Sequence, residues 1–287
     1  MSDRLQVRKT YKLYMGGKFP RSESGRTYLV TSPKGMPLAN ASWASRKDVR
    51  DAVAAARKAQ PGWANANAYL RGQILYRIAE MLEGRREQFA DEVAAATGWS
   101  KKNAAASVEA AVDRLVHYAG WTDKVTQVFG GANPVNGSFF NHTTAGPTGV
   151  VGIIAPQDDP LLGLVSVVAP AIATGNTVVV VSSYERPLPA MSFGEVLATS
   201  DVPGAVVNLL SGKASELAPW LASHGDVNAV DLTGVEDKDV LKAAEEAAAD
   251  TLKRVVRPGK EDFAAAPGTH RLRAFIEYKT VWHPAGT

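Results

Sequence analysis

The hydrophobic pattern changes character near Thr143 and divides the chain into two textures. Upstream, the first 40 residues alternate as strands do, in YKLYMGGKF and RTYLVTSPKG, with Gly and Pro marking turns. ASRKDVRDAVAAARKAQ then predicts a helix. Ser45 is placed to cap it, Asp48 stands three residues on, and Val49, Val53 and Ala56 follow at helical spacing. Further helices are predicted near Tyr69–Leu82, Arg85–Ala96 and Lys102–Tyr118, where Ala, Leu, Glu and Arg dominate. Downstream, GVVGIIAP, NTVVVVSS, AVVNLLSG and NAVDLTG read as strands. Apolar or helical stretches at Leu161–Ala173, Leu188–Thr199, Ala214–Ser223 and Lys238–Ala249 separate and follow them. Strands that are apolar throughout and alternate with helices predict a parallel sheet covered on both faces. GKEDFAAAPGT breaks this rhythm and reads as a tether, after which RAFIEYKTVWHP returns to strand-like content.

Composition narrows the chemistry. The chain has 287 residues, 45% of them hydrophobic and 21% charged, a normal balance for a globular protein with a sizeable core. A net charge of +3, spread along the chain, gives no concentrated basic face, and nucleic acid is not an expected partner. MSDRLQVRKTYKLYMGGK lacks the apolar segment of a signal peptide, and the apolar run Leu161–Ala173 is too short to span a bilayer. A cytoplasmic protein without membrane association is the expectation. The sequence contains no cysteine, so thiolate ligands and cysteine nucleophiles are excluded from these 287 residues.

APQDDPLL follows the first apolar strand, at the kind of turn where α/β proteins place their sites, and carries Asp158 beside Asp159. A carboxylate dyad for acid–base work is one reading. Adjacent turn residues usually diverge, however, and a solvated pair is the simpler reading. The five histidines show no metal-ligand spacing, and no serine sits in a Gly-x-Ser-x-Gly elbow.

The order of these phrases resembles the aldehyde dehydrogenase superfamily. YMGGKF, DVRDAVAAARKAQPGW, ILYRIAEMLEGRREQFADEVAAATG, YAGWTDK, GPTGVVGIIAP, PAIATGNTVVVV, PGAVVNLLSG and HGDVNAVDLTG run co-linearly through most of the chain. The resemblance implies a doubly wound, Rossmann-like NAD-binding domain of α/β class, with an N-terminal helical part and a small oligomerisation β-element. The expected organisation is a domain over 1–258 with a projecting hairpin at 135–148, a tether at 259–270, and a C-terminal oligomerisation strand at 271–287. In the family that strand pairs with the hairpin and extends a neighbour's sheet. Phe139, Phe140, Tyr278, Val281 and Trp282 are then the oligomerisation candidates. Trp282 can alternatively be read as core filler.

Carried over residue by residue, the family's ligand contacts are altered. Asp158 stands where an asparagine amide helps bind the oxyanion, with Gln157 and Asp159 in place of a tryptophan and an aromatic residue. An ionised carboxylate accepts hydrogen bonds only, and so opposes an oxyanion. The lysine and glutamate that bind the adenosine ribose align with Val181 and Tyr184. In the pyrophosphate turn Gly234 is kept, but the serine aligns with Val235 and the second glycine with Asp239. Glu236 and Asp237 add negative charge there, and the general-base glutamate, expected near Val256 in RVVRPGK, is missing. By contrast, Gly149, Gly152, Pro170, Gly175, Asn176, Pro203 and Gly204, all suited to turns and close packing, match the family. The resemblance therefore implies no catalytic residues and a degenerate site for NAD(P), the family cofactor, so no bound cofactor is expected. The leading expectation is a non-catalytic subunit, a pseudoenzyme assembled with a full-length aldehyde dehydrogenase or with itself. The alternatives are an NAD(P)-dependent aldehyde oxidoreductase or an NAD-binding sensor with a residual or composite site.

Overall fold

The structure, a computed structural model, describes residues 7–285. Residues 1–6 and 286–287, the outer ends of the ranges 1–258 and 271–287, lie outside the described residues. Strands β1 (Thr10–Tyr11), β2 (Thr27–Thr31) and β3 (Pro37–Ser42) form a small sheet in the order β1-β3-β2. The predicted capping box then starts α1 (Arg46–Asn65). The Ser45 hydroxyl accepts the Lys47 and Asp48 amides, and the Asp48 carboxylate accepts the Ser45 amide at 2.8 Å. Buried Asp48 also accepts the Ser22 hydroxyl at 2.7 Å, which pins the first helix to the preceding loop.

Helices α2 (Ala68–Glu83), α3 (Arg86–Thr97) and α4 (Lys101–Ala119) agree with their predicted spans to within a residue at each end. A short α5 (Val125–Phe129), which the sequence pattern does not announce, leads into β4 (Gly131–Asn133) and β5 (Phe139–Pro147). The β/α series follows: β6 (Val150–Ile154), α6 (Leu162–Ala173), β7 (Thr177–Val181), α7 (Leu188–Ala198), β8 (Val207–Leu210), α8 (Ala214–Ser223), β9 (Ala229–Asp231), α9 (Lys238–Ala249) and β10 (Arg254–Val256). Its five strands pair in parallel in the order β10-β9-β6-β7-β8. The order in which strands are added therefore switches sides between β6 and β9, and the carboxyl ends of these two parallel strands frame the crevice of a doubly wound sheet.

Strand β7 shows how the core is divided. Val178 and Val180 face the layer of α2–α4, α6 and α7, whereas Val179 and Val181 face the layer of α1, α8 and α9. Both faces are dry, which explains why the strand is apolar throughout instead of alternating. After β10 the chain runs without regular structure to α10 (His270–Ala274), a helical turn inside the segment read as purely strand. It ends in β11 (Ile276–Pro284), antiparallel to β5 over nine pairs from Ile276–Pro147 to Pro284–Phe139. This second small sheet has the order β11-β5-β4, so one side of β11 is an open edge.

Candidate functional site

Three chain segments meet at the carboxyl ends of β6, β9 and β10: residues 156–159, 233–236 and 258–263. They line a cavity of about 760 Å³. The two aspartates of APQDDPLL have different roles there. Asp159 accepts the Leu161 and Leu162 amides at 3.2 and 2.9 Å and the hydroxyl of Ser107, on α4, at 2.9 Å. It thus caps α6 and ties it to α4, since the first amides of a helix need outside acceptors. Asp158 has a side chain 98% exposed, and its nearest cation, Arg186, is 3.7 Å away. The carboxylates share no partner, and the geometry offers no acid–base dyad. The capping role of Asp159 was missed in the sequence. An aspartate two and three residues before the first amides of an apolar helix is the signal that announces it.

Gln157 holds the turn closed. Its amide nitrogen donates to Ala155 O at 2.6 Å, and its side-chain oxygen accepts the Tyr184 amide at 3.1 Å. Its carbonyl accepts the Ser183 hydroxyl at 3.1 Å and Arg186 at 3.0 Å. The next strand's exit is thereby stitched to this turn.

Val181, Tyr184, Gly234 and Val235, which the resemblance aligns with the family's cofactor contacts, face inward or engage this chain. Val181 and Val235 are buried in the core layer beneath α8 and α9. Tyr184 stacks on Tyr28, with ring centroids 4.7 Å apart and planes 18° apart, and tilts against Trp43 at 5.8 Å. The Tyr28 hydroxyl donates to Tyr184 O at 3.0 Å, and burial, then the neighbouring Tyr184, pushes that hydroxyl far above its usual range. Lys213 lies over both Trp43 and Tyr184, 5.5 and 5.3 Å from the ring centroids. Gly234 approaches β6 so closely that a Cβ would stand 1.8 Å from Ala155 O, and its amide donates to Ile154 O at 2.9 Å. Asp237 caps α9 by accepting the Asp239 and Val240 amides at 2.8 and 3.2 Å. A helix N-terminus can bind a pyrophosphate. Here the chain's own carboxylate already takes those amides, and Glu236 and Asp239 flank it. This environment does not fit a dinucleotide.

The stretch read as a tether is fastened to the sheet. Arg271, on α10, donates to Asp231 at 2.7 Å and to Glu261 at 3.0 Å, with a second, shorter contact to Glu261. It also donates to the Thr233 hydroxyl at 3.1 Å. The side chains of Asp231 and Arg271 are 0% and 4% exposed. Burial would lower the Arg271 pKa, but contact with Glu261 and Asp231 outweighs it and raises the value. Arg114, on α4, donates to the carbonyls of Phe263 and Ala265. Beyond α10, the Asn176 amide donates to Phe275 O at 3.0 Å and sets the start of β11. Arg271, Asp231 and Glu261 escaped the sequence reading because their pairing spans long separations and follows no motif.

The β11–β5 ribbon brings the five assembly candidates together on two faces. The Thr148 amide donates to Phe275 O, and the Ala285 amide donates to Ser138 O, both in register with the strand pairs. Hydrogen-bonded pairs alternate along an antiparallel ladder. Val281 therefore points its N–H toward β5, whereas Tyr278 and Trp282 point theirs to the open edge. Side chains of Tyr278, Trp282 and Phe139 share one face, where Phe139 meets Trp282 edge-on at 5.8 Å. Phe140 and Val281 lie on the other face. All but Val281 are exposed. No helix among the described residues is long and apolar enough to cross a membrane. Among those residues, no three His, Cys, Asp or Glu side chains form a group that could hold a metal ion.

Comparison with known proteins identifies the scaffold. Residues 19–258 match the aldehyde dehydrogenase family. The chain is 34% identical over 247 residues to an aldehyde dehydrogenase of Aspergillus niger, covering 85% of this chain and 48% of that protein. It is 33% identical over 250 residues to mouse cytosolic 10-formyltetrahydrofolate dehydrogenase, covering 84% of this chain and 27% of the relative. Among solved structures, the NAD+ complex of a Bacillus cereus aldehyde dehydrogenase superposes with a TM-score of 0.81 at 29% identity, covering 86% of this chain and 50% of that one. The chain thus spans about half the length, or less, of the relatives it matches. With a family match over residues 19–258 and a shared fold, the chain belongs to the aldehyde dehydrogenase family.

Proposed function

We propose that this chain is a non-catalytic aldehyde dehydrogenase-type subunit that assembles with a full-length, active relative or with a second copy, through the open edge of β11. The observation that carries this reading is the ribbon itself. Nine residues of β11 pair on one side only and present exposed aromatic side chains at Tyr278 and Trp282. Unpaired edges are normally shortened, charged or covered, because they template further pairing. A partner strand on β11 would satisfy the open N–H and C=O groups and bury those rings.

The crevice supports the non-catalytic half of the proposal. Val181 and Val235 serve the core, Tyr184 serves an aromatic stack, and Asp237 occupies the amides at the head of α9. The resemblance puts Asp158 where the family has an oxyanion-binding amide, and a carboxylate there raises the barrier to acyl chemistry. In a mixed assembly the relative would supply nucleophile, base and cofactor.

The test is the native mass of the tagged protein isolated from its own cells, with Tyr278→Pro as the variant. The expected result is an oligomer containing a cysteine-bearing dehydrogenase or a second copy, lost in Tyr278→Pro because that residue's N–H faces the open edge. A monomer in the wild type, or an oligomer that survives the variant, refutes the edge as the contact. Calorimetry with NAD and NADP is expected to give no heat of binding to the isolated chain. A saturating isotherm would favour the sensor reading.

A further inference from the structure

Residues 258–269 run past the crevice cavity, and 258–263 among them form one wall of it, facing the β6 turn and the β9 turn. They make no strand or helix, and no backbone ladder joins them to the central sheet. What holds them is a few side chains. Glu261 reaches in to Arg271, which is itself locked to buried Asp231 and to Thr233. Arg114 takes two strap carbonyls, and Phe263 packs against the core with the Arg271 guanidinium 5.7 Å from its ring centroid. Lys260, Asp262 and Ala264–Ala266 are exposed.

We propose that residues 258–269 are a strap, with Asp231, Arg271 and Glu261 as its latch, and that the crevice opens when the strap lifts as a unit on release of Glu261. The two halves of the latch differ in kind. Asp231–Arg271 is sealed in the interior, where removing one partner leaves an uncompensated charge, so it stays closed. Glu261–Arg271 sits at the margin, where water can replace the carboxylate's partner, so it is the half that can open. Segments held by few buried contacts and no ladder are those that detach below the global unfolding free energy. The wall of the cavity is therefore movable while its floor, the ends of β6 and β9, is fixed.

The absence of native cysteine makes the motion directly measurable. Spin labels on Asp158→Cys and Ala264→Cys, both exposed, report the distance across the crevice by pulsed dipolar spectroscopy. A second pair on Glu80→Cys and Asp113→Cys reports the α2–α4 layer. The expected result is one narrow distance across the closed crevice, joined by a longer, broad population in Glu261→Gln and a larger one in Arg271→Met, with the α2–α4 distance unchanged. A broad distribution before either latch change, or no change in Glu261→Gln, overturns the proposal. So does broadening of both label pairs together, which would make Arg271 a residue of the whole fold. If Arg271→Met does not fold, Glu261→Gln decides alone, because it leaves the interior pair intact.

Discussion

Replacing Asp159 by alanine removes several contacts from one point. The amides of Leu161 and Leu162, at the entry to α6, lose their acceptor, and Ser107, a buried hydroxyl, loses its partner. Loss of a capping acceptor destabilises by roughly 0.5–2 kcal/mol. The unmade hydrogen bond at a buried hydroxyl adds about 1–3 kcal/mol, and the lost charge at the helix N-terminus about 0.3–1 kcal/mol. These terms share one side chain and overlap, so a total of about 2–4 kcal/mol is expected. For a chain of this size that lowers Tm by roughly 3–7 °C. Asp158→Ala is the matched control, one residue away and almost fully exposed, and is expected to leave Tm unchanged within error. Thermal unfolding followed by circular dichroism at pH 7 compares the two. Equal shifts in both variants, or a larger one in Asp158→Ala, would refute the division of labour between the aspartates.

Two carboxylates give opposite pH signatures. Burial acts to raise the Glu261 pKa, but the Arg271 contacts outweigh it and hold the value below the usual carboxylate range. Its contribution to stability is therefore complete above about pH 4.5 and fades as the pH falls through the folded-state value. Glu261→Gln should lower Tm most at neutral pH and converge with the wild type in acid, so a gap independent of pH would contradict the ion pair. Glu92 is the reverse case. Burial raises its pKa, one carboxylate oxygen accepts Gln88 at 2.8 Å, and the other is buried without a partner. A carboxyl with a raised folded-state pKa destabilises once the pH exceeds its unfolded value. Glu92→Gln should therefore raise Tm at pH 7 and leave it unchanged near pH 4. A lower Tm at pH 7 would refute this.

The legible parts of the fold were those governed by local periodicity. The capping box at Ser45 and Asp48, the helix ending near Leu82 and the apolar strand ending at Val181 each follow from residues within one or two turns of one another. The kept glycines and the β5–β11 pairing followed from family resemblance. What escaped depends on partners far apart in the chain. Tyr184 alone looks like a missing glutamate, and only with Tyr28 and Trp43 beside it does it become the centre of an aromatic stack. Arg271 looks like one more surface cation until β9 brings Asp231 beneath it. GKEDFAAAPGT has the composition of a linker, yet Glu261 and Phe263 point inward and fasten it. Composition reports which residues can be solvated, whereas docking is decided by what lies opposite.

The burial of Val181 and Val235 has a consequence for reversibility. Both side chains are built into the layer that holds Leu13, Leu210, Leu217 and Val230. A lysine placed at 181 would start from a site without solvent exposure, and a serine at 235 would bring a hydroxyl to a place now filled by methyl groups. Each change, made alone, weakens the fold before any ligand is present to offset the loss, because desolvated polar groups without partners are destabilising by kilocalories. Both side chains help to hold the sheet together, so under the proposed loss of ligand binding the departure would act as a ratchet. The way back runs through less stable intermediates.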